Sequence, residues 1–180
     1  MEEKSAMQLK IQISGVKPPV WRRIIVPTTI RYDQLNVLIQ LAFDWTNSYL
    51  HGFTVAHDRS LNYIPRGGED DAFGNFRLTD EYMIYPDLAK GSVTYTYDFG
   101  DDWEHKIKLE KMISIDELPS VQIPYCVGGR GDSILEDSRM MDEDGNGEPN
   151  NPFDKDDVNE LFAEVITAGE ALINIDGDMF

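Results

Sequence analysis

The strongest constraint on the fold is an alternating segment that turns back on itself. β-Branched and aromatic residues dominate positions 93–99, and a second alternating segment over 103–109 follows the turn Gly100-Asp101-Asp102. A period of two is typical of half-buried strands, and a glycine- and aspartate-rich turn between two such segments predicts a β-hairpin. The chain is therefore expected to contain an antiparallel pair of strands near its middle.

Burial predicts the register of this hairpin, because a slip of one residue would move every side chain to the opposite face. A turn of three or five residues brings one largely apolar set together: Val93, Tyr95, Tyr97, Phe99, Trp103, His105, Ile107 and Leu109. An even turn would mix aromatic with charged side chains. We therefore expect an odd turn, with the polar set on the other face: Thr94, Thr96, Asp98, Glu104, Lys106 and Lys108.

The remaining patterns predict an α+β fold in which a mainly antiparallel sheet packs against two principal helices, within a single domain spanning residues 1–180. Further strands are expected at 9–13, 20–26 and 51–55 from their alternation. A mostly apolar helix is predicted over 33–45, and an amphipathic helix over about 154–168, with Asp154 as its N-cap and Gly169 at its end. Irregular, exposed chain is expected over 61–75 and 128–141.

Size and composition place the chain among ordinary globular proteins. A chain of 180 residues that is 41% hydrophobic and 27% charged is long enough to bury a core as one domain. No apolar run reaches the roughly 18 residues of a membrane span, so no membrane contact is expected. The N-terminal residues 1–4 do not resemble a secretory signal, and the single Cys126 cannot form an intrachain disulfide. These features favour a reducing cytoplasm.

The negative charge is concentrated in the C-terminal part of the chain. Residues 1–131 carry 14 basic and 18 acidic side chains, whereas residues 132–180 carry 2 and 15, which together give the net charge of −17. Such a surface repels phosphate, so direct nucleic-acid binding is not expected, and the partner is expected to be a protein or a small molecule. The simplest interpretation of the acidic part is a solvated face.

Four residues have the side chains that general acid/base or metal chemistry uses: Asp98, Asp101, His105 and His51. They are the candidate catalytic residues if the protein is an enzyme. The alternative is that the carboxylates close the turn and pair with arginine. His105 lies in line with core positions, which favours a core histidine with one satisfied ring nitrogen. Cys126 lacks a local catalytic signature and is more typical of a buried unpaired cysteine.

A binding surface is the second hypothesis for the same region. Strand alternation points Arg22 and Arg23 to opposite faces, and one of them could neutralise the carboxylates near Asp98. The candidate binding residues are Arg22, Arg23, Asp98, Asp101 and Trp103.

A calcium-loop pattern opens the acidic segment 142–153. Asp142, Asp144 and Asn146 offer oxygen ligands at alternate positions before Gly147. The twelfth position is Phe153, where a bidentate glutamate is expected, so only weak calcium binding is predicted and no other cofactor. The segment holds too few apolar residues to predict a packed element.

Three separated motifs together resemble the plasmid pRiA4b ORF-3-like family. They are Pro18-Pro19-Val20-Trp21-Arg22-Arg23, Trp45 with Leu50-His51-Gly52-Phe53, and Tyr97-Asp98-Phe99-Gly100-Asp101-Asp102-Trp103-Glu104-His105. The resemblance covers about residues 9–137 and implies an α+β domain with no firmly attached activity. Some members are encoded near mobile elements, so the resemblance implies, as a further hypothesis, a mobile-element regulator that acts on DNA. The net negative charge of the chain argues against this hypothesis, because it repels phosphate.

The departures from the family pattern limit what the resemblance implies about chemistry. Members often carry a segment ending in Cys-Pro-Pro-Glu-Asp-Cys, whereas this chain has Ser133 and Ser138 at the two cysteine positions and keeps Glu136-Asp137 between them. Tyr49 stands where relatives tend to have a first histidine. The leading hypothesis is therefore a non-catalytic binding or accessory domain, and the alternative is a metal-dependent or hydrolase-like enzyme.

Overall fold

The computed structural model describes residues 5–69, 74–117 and 123–168. The strands are β1 Ser5–Ile13, β2 Trp21–Pro27, β3 His51–Val55, β4 Asp58–Ile64, β5 Asn75–Leu78, β6 Val93–Tyr97, β7 Trp103–Ser114 and β8 Tyr125–Arg130. The helices are α1 Tyr32–Ala42, α2 Tyr85–Leu88 and α3 Lys155–Ala168, with a short 3-10 turn at Ile115–Glu117.

All eight strands belong to one sheet, in the order β5-β4-β3-β6-β7-β1-β2-β8. Only β4 and β5 pair in parallel, so the predicted mainly antiparallel α+β architecture is confirmed. The helical part is smaller than two principal helices imply, since α1 has 11 residues, α2 has 4 and α3 has 14. Helix α1 ends at Ala42 rather than Trp45 because Asp44 adopts a left-handed φ of 62°.

The hairpin of β6 and β7 has the predicted register. Its turn contains five residues, 98–102, and Tyr97 pairs with Trp103 and Tyr95 with His105. The prediction that Phe99 faces the interior is wrong: its side chain is 52% exposed. Strand alternation stops at Asp98, whose φ of 65° is left-handed, so the residue after it no longer follows the inward set.

The core lies between one face of the sheet and the helices. Alternate side chains of β1, β6 and β7 enter it together with residues of α1 and with Val158, Phe162 and Val165 of α3. Burial of this apolar face is the main stabilisation of such a layer. None of the described helices combines the length and apolar composition that crossing a bilayer requires.

Three segments expected to be irregular contain residues that are held by pairing. Strand β4 includes residues 61–64 of the first segment and β5 begins at its last residue, 75, while β8 includes residues 128–130 of the second segment. Residues 142–153 are also held, because Ile134 forms a bridge with Pro149 and Ser133 exchanges backbone hydrogen bonds with the same segment. Their apolar signal is weak because these strands lie at or near the sheet edges, where little of each strand is buried. The predicted end of α3 at Gly169 lies outside the described residues.

Candidate functional site

Three carboxylates meet at the β6–β7 turn. Asp98 and Asp101 come from the turn, Asp137 comes from the loop after β8, and one carboxylate oxygen of each lies within 4.8 Å of the others. Within residues 5–69, 74–117 and 123–168, no other group of three or more His, Cys, Asp or Glu side chains converges in this way. We call Asp98, Asp101 and Asp137 the acidic cluster.

Local backbone geometry holds the cluster together. Asp98 and Asp137 both adopt left-handed φ values, 65° and 61°, which aspartate tolerates better than most residues. Asp98 Oδ1 accepts hydrogen bonds from the backbone N–H groups of Gly100 at 2.9 Å and Asp101 at 3.3 Å. The Tyr49 hydroxyl donates to Asp137 Oδ2. One oxygen of Asp98 thus accepts backbone donors of its own turn, and Asp137 is held by Tyr49.

The cluster is electrostatically uncompensated. Burial raises the pKa of Asp98, and the charges of Asp101 and Asp137 raise it further, against the lowering effect of its backbone hydrogen bonds. Arg139 donates its backbone N–H to Asp101 Oδ2 at 3.3 Å, but its guanidinium donates to the carbonyl oxygens of Asp102 at 2.7 Å and Gly145 at 3.0 Å. The second oxygen of each cluster carboxylate accepts no hydrogen bond from the described part of the chain. These oxygens are the ligands that a hard cation would use.

The two candidate histidines do not join the carboxylates. His105 is fully buried, and its Nδ1 lies 3.0 Å from the Trp103 carbonyl and 3.2 Å from that of Tyr95. His51 stands 5.7 Å from the Tyr95 ring, centroid to centroid. Burial lowers the pKa of each imidazole to about 4, so both are neutral at pH 7. The structure thus divides the four candidate catalytic residues between the turn and the core.

The arginines also lie elsewhere, which corrects the proposed pairing with Asp98. Arg22 is buried against the rings of Phe43 and Phe153 and donates to carbonyl oxygens, including that of Ala42 at 2.9 Å. Arg23 forms a bidentate ion pair with Glu110 at 2.6 and 3.0 Å. Both residues belong to β2, which β1 and β7 separate from β6, so neither guanidinium pairs with the cluster.

Trp103 is buried, whereas the calcium-loop residues Asp142, Asp144 and Asn146 are partly or fully exposed. Trp103 is 1% exposed, and the Arg139 guanidinium lies 4.6 Å from its ring centroid. Its side chain therefore belongs to the core next to the turn. Asp142 accepts the backbone N–H groups of Asp144 and Asn146, and the Asn146 side-chain oxygen accepts that of Lys17. The Asp142 carboxylate therefore closes its own loop, and Asn146 ties the loop to Lys17.

The cysteine positions of the family pattern are occupied by hydroxyls that bind backbone. Ser133 Oγ accepts the Asn151 N–H at 3.0 Å, and Ser138 Oγ accepts the Glu148 N–H at 2.8 Å. Cys126 is buried, which raises the pKa of its thiol to about 11. No thiolate chemistry is therefore built into this part of the chain.

An apolar groove adjoins the acidic cluster on the outer face of the sheet. It has a volume of about 590 Å³, and its lining includes Leu50, Gly52, Thr54, Thr96 and Phe99. Phe99 lies over Gly52, where an added Cβ would be 3.6 Å from the ring, and Leu50 is 45% exposed. We call this the Phe99 groove. The Phe99 groove and the acidic cluster are adjacent, because Asp98 of the cluster donates its backbone N–H to the carbonyl oxygen of Leu50, a lining residue of the groove, at 2.9 Å.

Sequence reasoning missed Asp137 and a second, fully satisfied carboxylate. The signal for Asp137 was the Glu136-Asp137 pair, the part of the family segment that this chain keeps while losing both cysteines.

Asp87 in α2 accepts hydrogen bonds from Tyr32, Tyr63 and His57, and we call these four residues the Asp87 network. No local sequence pattern connects them, because they lie on four separate elements or turns.

The fold and the cluster define a class: an α+β domain of one mainly antiparallel sheet with an acidic site at a hairpin turn. The model of the plasmid pRiA4b ORF-3-like protein family matches residues 5–143, and the chain belongs to this family. The resemblance stated from the motifs is thereby confirmed.

Two known proteins show how far this similarity extends. The uncharacterized protein y4hQ of Sinorhizobium fredii (strain NBRC 101917 / NGR234) is 37% identical over 111 residues, which cover 59% of this chain and 54% of y4hQ. The chain thus matches about half the length of that relative. The crystal structure of the protein of unknown function MM3350 from Methanosarcina mazei Go1 is similar with a TM-score of 0.64 and 28% identity, covering 76% of this chain and 75% of that one.

Proposed function

We propose that the protein is a non-catalytic binding domain whose partner occupies the Phe99 groove beside the acidic cluster. The observation that carries the proposal is the exposure of Phe99, at 52%, and Leu50, at 45%, along an open apolar groove. Large apolar side chains kept in solvent and rimmed by charge are typical of interaction sites. The groove and the cluster are joined by the turn, so one partner can contact both.

The charge next to the groove suggests the chemistry of the partner. Asp98, Asp101 and Asp137 gather three carboxylates with no basic side chain paired to them among the described residues. A protein segment that places an apolar side chain on Phe99 and a lysine or arginine at the cluster would neutralise this charge. The expected partner is therefore a basic, partly apolar polypeptide segment.

The positions of the two histidines and of Cys126 support binding rather than catalysis. His51 and His105 are buried with pKa values lowered to about 4, and Cys126 has a raised thiol pKa. General acid/base catalysis needs a group within hydrogen-bond reach of the reacting atom and with a pKa near the working pH. None of these three side chains has both properties at the Phe99 groove.

Peptide selection tests the proposal. A random displayed peptide library is selected on the wild-type protein, and the dissociation constants of enriched peptides are then measured against Phe99→Ser and Phe76→Ser. Phe76 is the matched control, since it is 42% exposed and lies outside the groove lining. We expect enriched peptides to combine an apolar residue with lysine or arginine and to bind Phe99→Ser at least about tenfold more weakly. Equal binding to both variants, or no enrichment, contradicts the proposal.

A cation-dependent enzyme is the second candidate, because three carboxylates within 4.8 Å could ligate one ion. Oxygen ligands of this kind suit Mg²⁺, Ca²⁺ or Mn²⁺. Calorimetric titration of each ion into wild type, Asp101→Asn and Asp144→Asn separates the sites. Heat that disappears only in Asp101→Asn supports a cation at the acidic cluster, and loss only in Asp144→Asn supports the predicted weak calcium loop. Wild-type protein without binding heat for any ion contradicts both.

A further inference from the structure

A row of like charges crosses three adjacent strands on the outer face of the sheet. Lys108 of β7 pairs directly with Lys10 of β1, and Lys10 pairs directly with Arg23 of β2. In the neighbouring row, Lys106 lies opposite Gln12. We call Lys10, Arg23, Lys106 and Lys108 the basic row. These side chains point away from the core, in alternation with the buried residues of the same strands.

This arrangement costs stability, because like charges directly opposite one another in a sheet repel. Arg23 is neutralised by Glu110. In the part of the chain that the structure describes, Lys10, Lys106 and Lys108 have no carboxylate oxygen within 4.0 Å. Three lysines that form no ion pair within 4.0 Å among the described residues therefore share one face of a protein whose net charge is −17.

The lysines also frame a concave surface. A groove of about 600 Å³ runs between β1 and β7, and its lining residues are Lys10, Gln12, Ser14, Lys106, Lys108, Leu109 and Glu110. Glu110, the one carboxylate among these lining residues, is already paired with Arg23, so the three ammonium groups leave the groove with a positive charge that attracts an anion.

We propose that the basic row is a docking site for an acidic segment of a partner polypeptide. This site goes beyond the Phe99 groove, because it lies on β7, β1 and β2 instead of β3, β4 and β6. Carboxylates spaced along an extended segment would lie between Lys108 and Lys10 and above Lys106, and polar contacts to Gln12 would fix their direction. Neutralisation of the row would offset the repulsion that the free protein carries.

A polypeptide fits this face better than a nucleic acid does. Tight nucleic-acid binding uses many phosphate contacts along a continuous cationic track, whereas Glu104 and Glu110 interrupt this one. Single strands also need free aromatic faces for base stacking. Trp21, the aromatic side chain of this face, already has Lys10 and Arg23 over its ring, each 4.9 Å from a ring centroid.

Fluorescence anisotropy with a labelled peptide of about ten glutamates tests the site at low salt. We expect Lys106→Glu combined with Lys108→Glu to weaken peptide binding at least about tenfold. The control combines Lys90→Glu with Lys155→Glu, which changes the net charge equally at residues outside this groove, and it should lose less than about threefold. An equal loss in both, or no binding by wild type, overturns the proposal. Tighter binding of single-stranded oligo(dT) than of the peptide would assign the face to nucleic acid and overturn it as well.

The stability of the single variant Lys108→Glu gives an independent readout. Opposite charges would then face each other at Lys10, so we expect the melting temperature to rise while the affinity for the glutamate peptide falls. Lys155→Glu serves as the control and should leave the affinity unchanged. A lower melting temperature for Lys108→Glu would mean that Lys108 serves the fold, and it would contradict a site kept for a partner. Phe99→Ser should bind the glutamate peptide like wild type, which separates this site from the Phe99 groove.

Discussion

Two buried aspartates of this protein have side-chain pKa values that are shifted in opposite directions. Asp87 is 6% exposed and Asp98 is 7% exposed. Burial raises the pKa of Asp87, but hydrogen bonds from Tyr32, Tyr63 and His57 outweigh it, so the net shift is downward. Burial also raises the pKa of Asp98, and there the backbone donors do not outweigh burial and the neighbouring carboxylates. The number of donors, and not burial alone, separates the two environments.

The comparison indicates which carboxylate serves the fold. The Asp87 network joins α1, β4 and α2 through one acceptor, with the Tyr32 and Tyr63 rings stacked 3.9 Å apart, centroid to centroid. Every donor in it would lose its partner if the carboxylate were removed. The acidic cluster instead concentrates three carboxylates with which no basic side chain of the described residues forms an ion pair. Charge held at a cost to stability is typical of residues kept for contacts outside the chain.

The largest expected effect is the loss of the Asp87 network. Asp87→Asn removes the charge and one acceptor oxygen, and it leaves an amide N–H₂ facing a buried donor. We expect the free energy of unfolding at pH 7 to fall by about 2–4 kcal/mol, measured by urea denaturation. Asp80→Asn is the control, because its pairing with Arg66 is partly exposed and should contribute less than about 1 kcal/mol. If Asp87→Asn lowered the free energy of unfolding no more than Asp80→Asn does, the Asp87 network would not be a main support of the fold.

The pH dependence of stability should differ in sign between the two aspartates. The folded pKa of Asp87 is lowered, so its contribution is present above the unfolded aspartate pKa of about 3.9 and is lost as the pH falls through the folded value. The folded pKa of Asp98 is raised, so its contribution is present below about 3.9 and is lost as the pH rises through the folded value.

Urea denaturation of Asp87→Asn, Asp98→Asn and wild type from acid to neutral pH measures these contributions. The deficit of Asp87→Asn should grow as the pH rises towards 7, whereas Asp98→Asn should become more stable relative to wild type over the same rise. Asparagine keeps an acceptor oxygen and tolerates the left-handed backbone of residue 98, so the change isolates the charge. Parallel profiles for the two variants would show that the environments do not differ.

The smallest expected effect is a change in the titration of Tyr49. Its hydrogen bond to Asp137 and the charge of that carboxylate raise the pKa of the Tyr49 hydroxyl to about 12. Asp137→Asn should return this pKa towards about 10, measured by NMR on the assigned tyrosine ring. Glu136→Gln should lower it less, because the charge of Glu136 is a minor cause of the shift. An unchanged Tyr49 pKa in Asp137→Asn would place Asp137 outside the cluster.

The parts of the fold that sequence patterns predicted are those in which local pattern and burial agree. The β6–β7 hairpin was predictable because every second side chain from Val93 to Tyr97 and from Trp103 to Ile107 is buried in one core. Strand β8 was not, since its segment Val127-Gly128-Gly129-Arg130 shows no alternation and is ordered by pairing with β2. Pairing between distant segments leaves little local signal when few side chains of the strand are buried, as in β8.

The candidate site was predictable only in part, for a related reason. Asp98 and Asp101 were found because they share one turn, whereas Asp137 reaches the same point from the loop after β8. Phe99 was assigned to the core because an unbroken strand would point it inward, and the left-handed Asp98 ended that strand one residue earlier. Side-chain convergence from separate loops depends on tertiary structure that no local period encodes.

The most direct test of the account is the stability at pH 7 of the double variant Asp98→Asn and Asp101→Asn. If the acidic cluster is kept for a partner, removal of two crowded charges should raise the free energy of unfolding above that of wild type, because asparagine oxygens still accept the backbone hydrogen bonds of the turn. A double variant less stable than wild type would show that these carboxylates hold the turn together, and it would contradict the assignment of the cluster to binding.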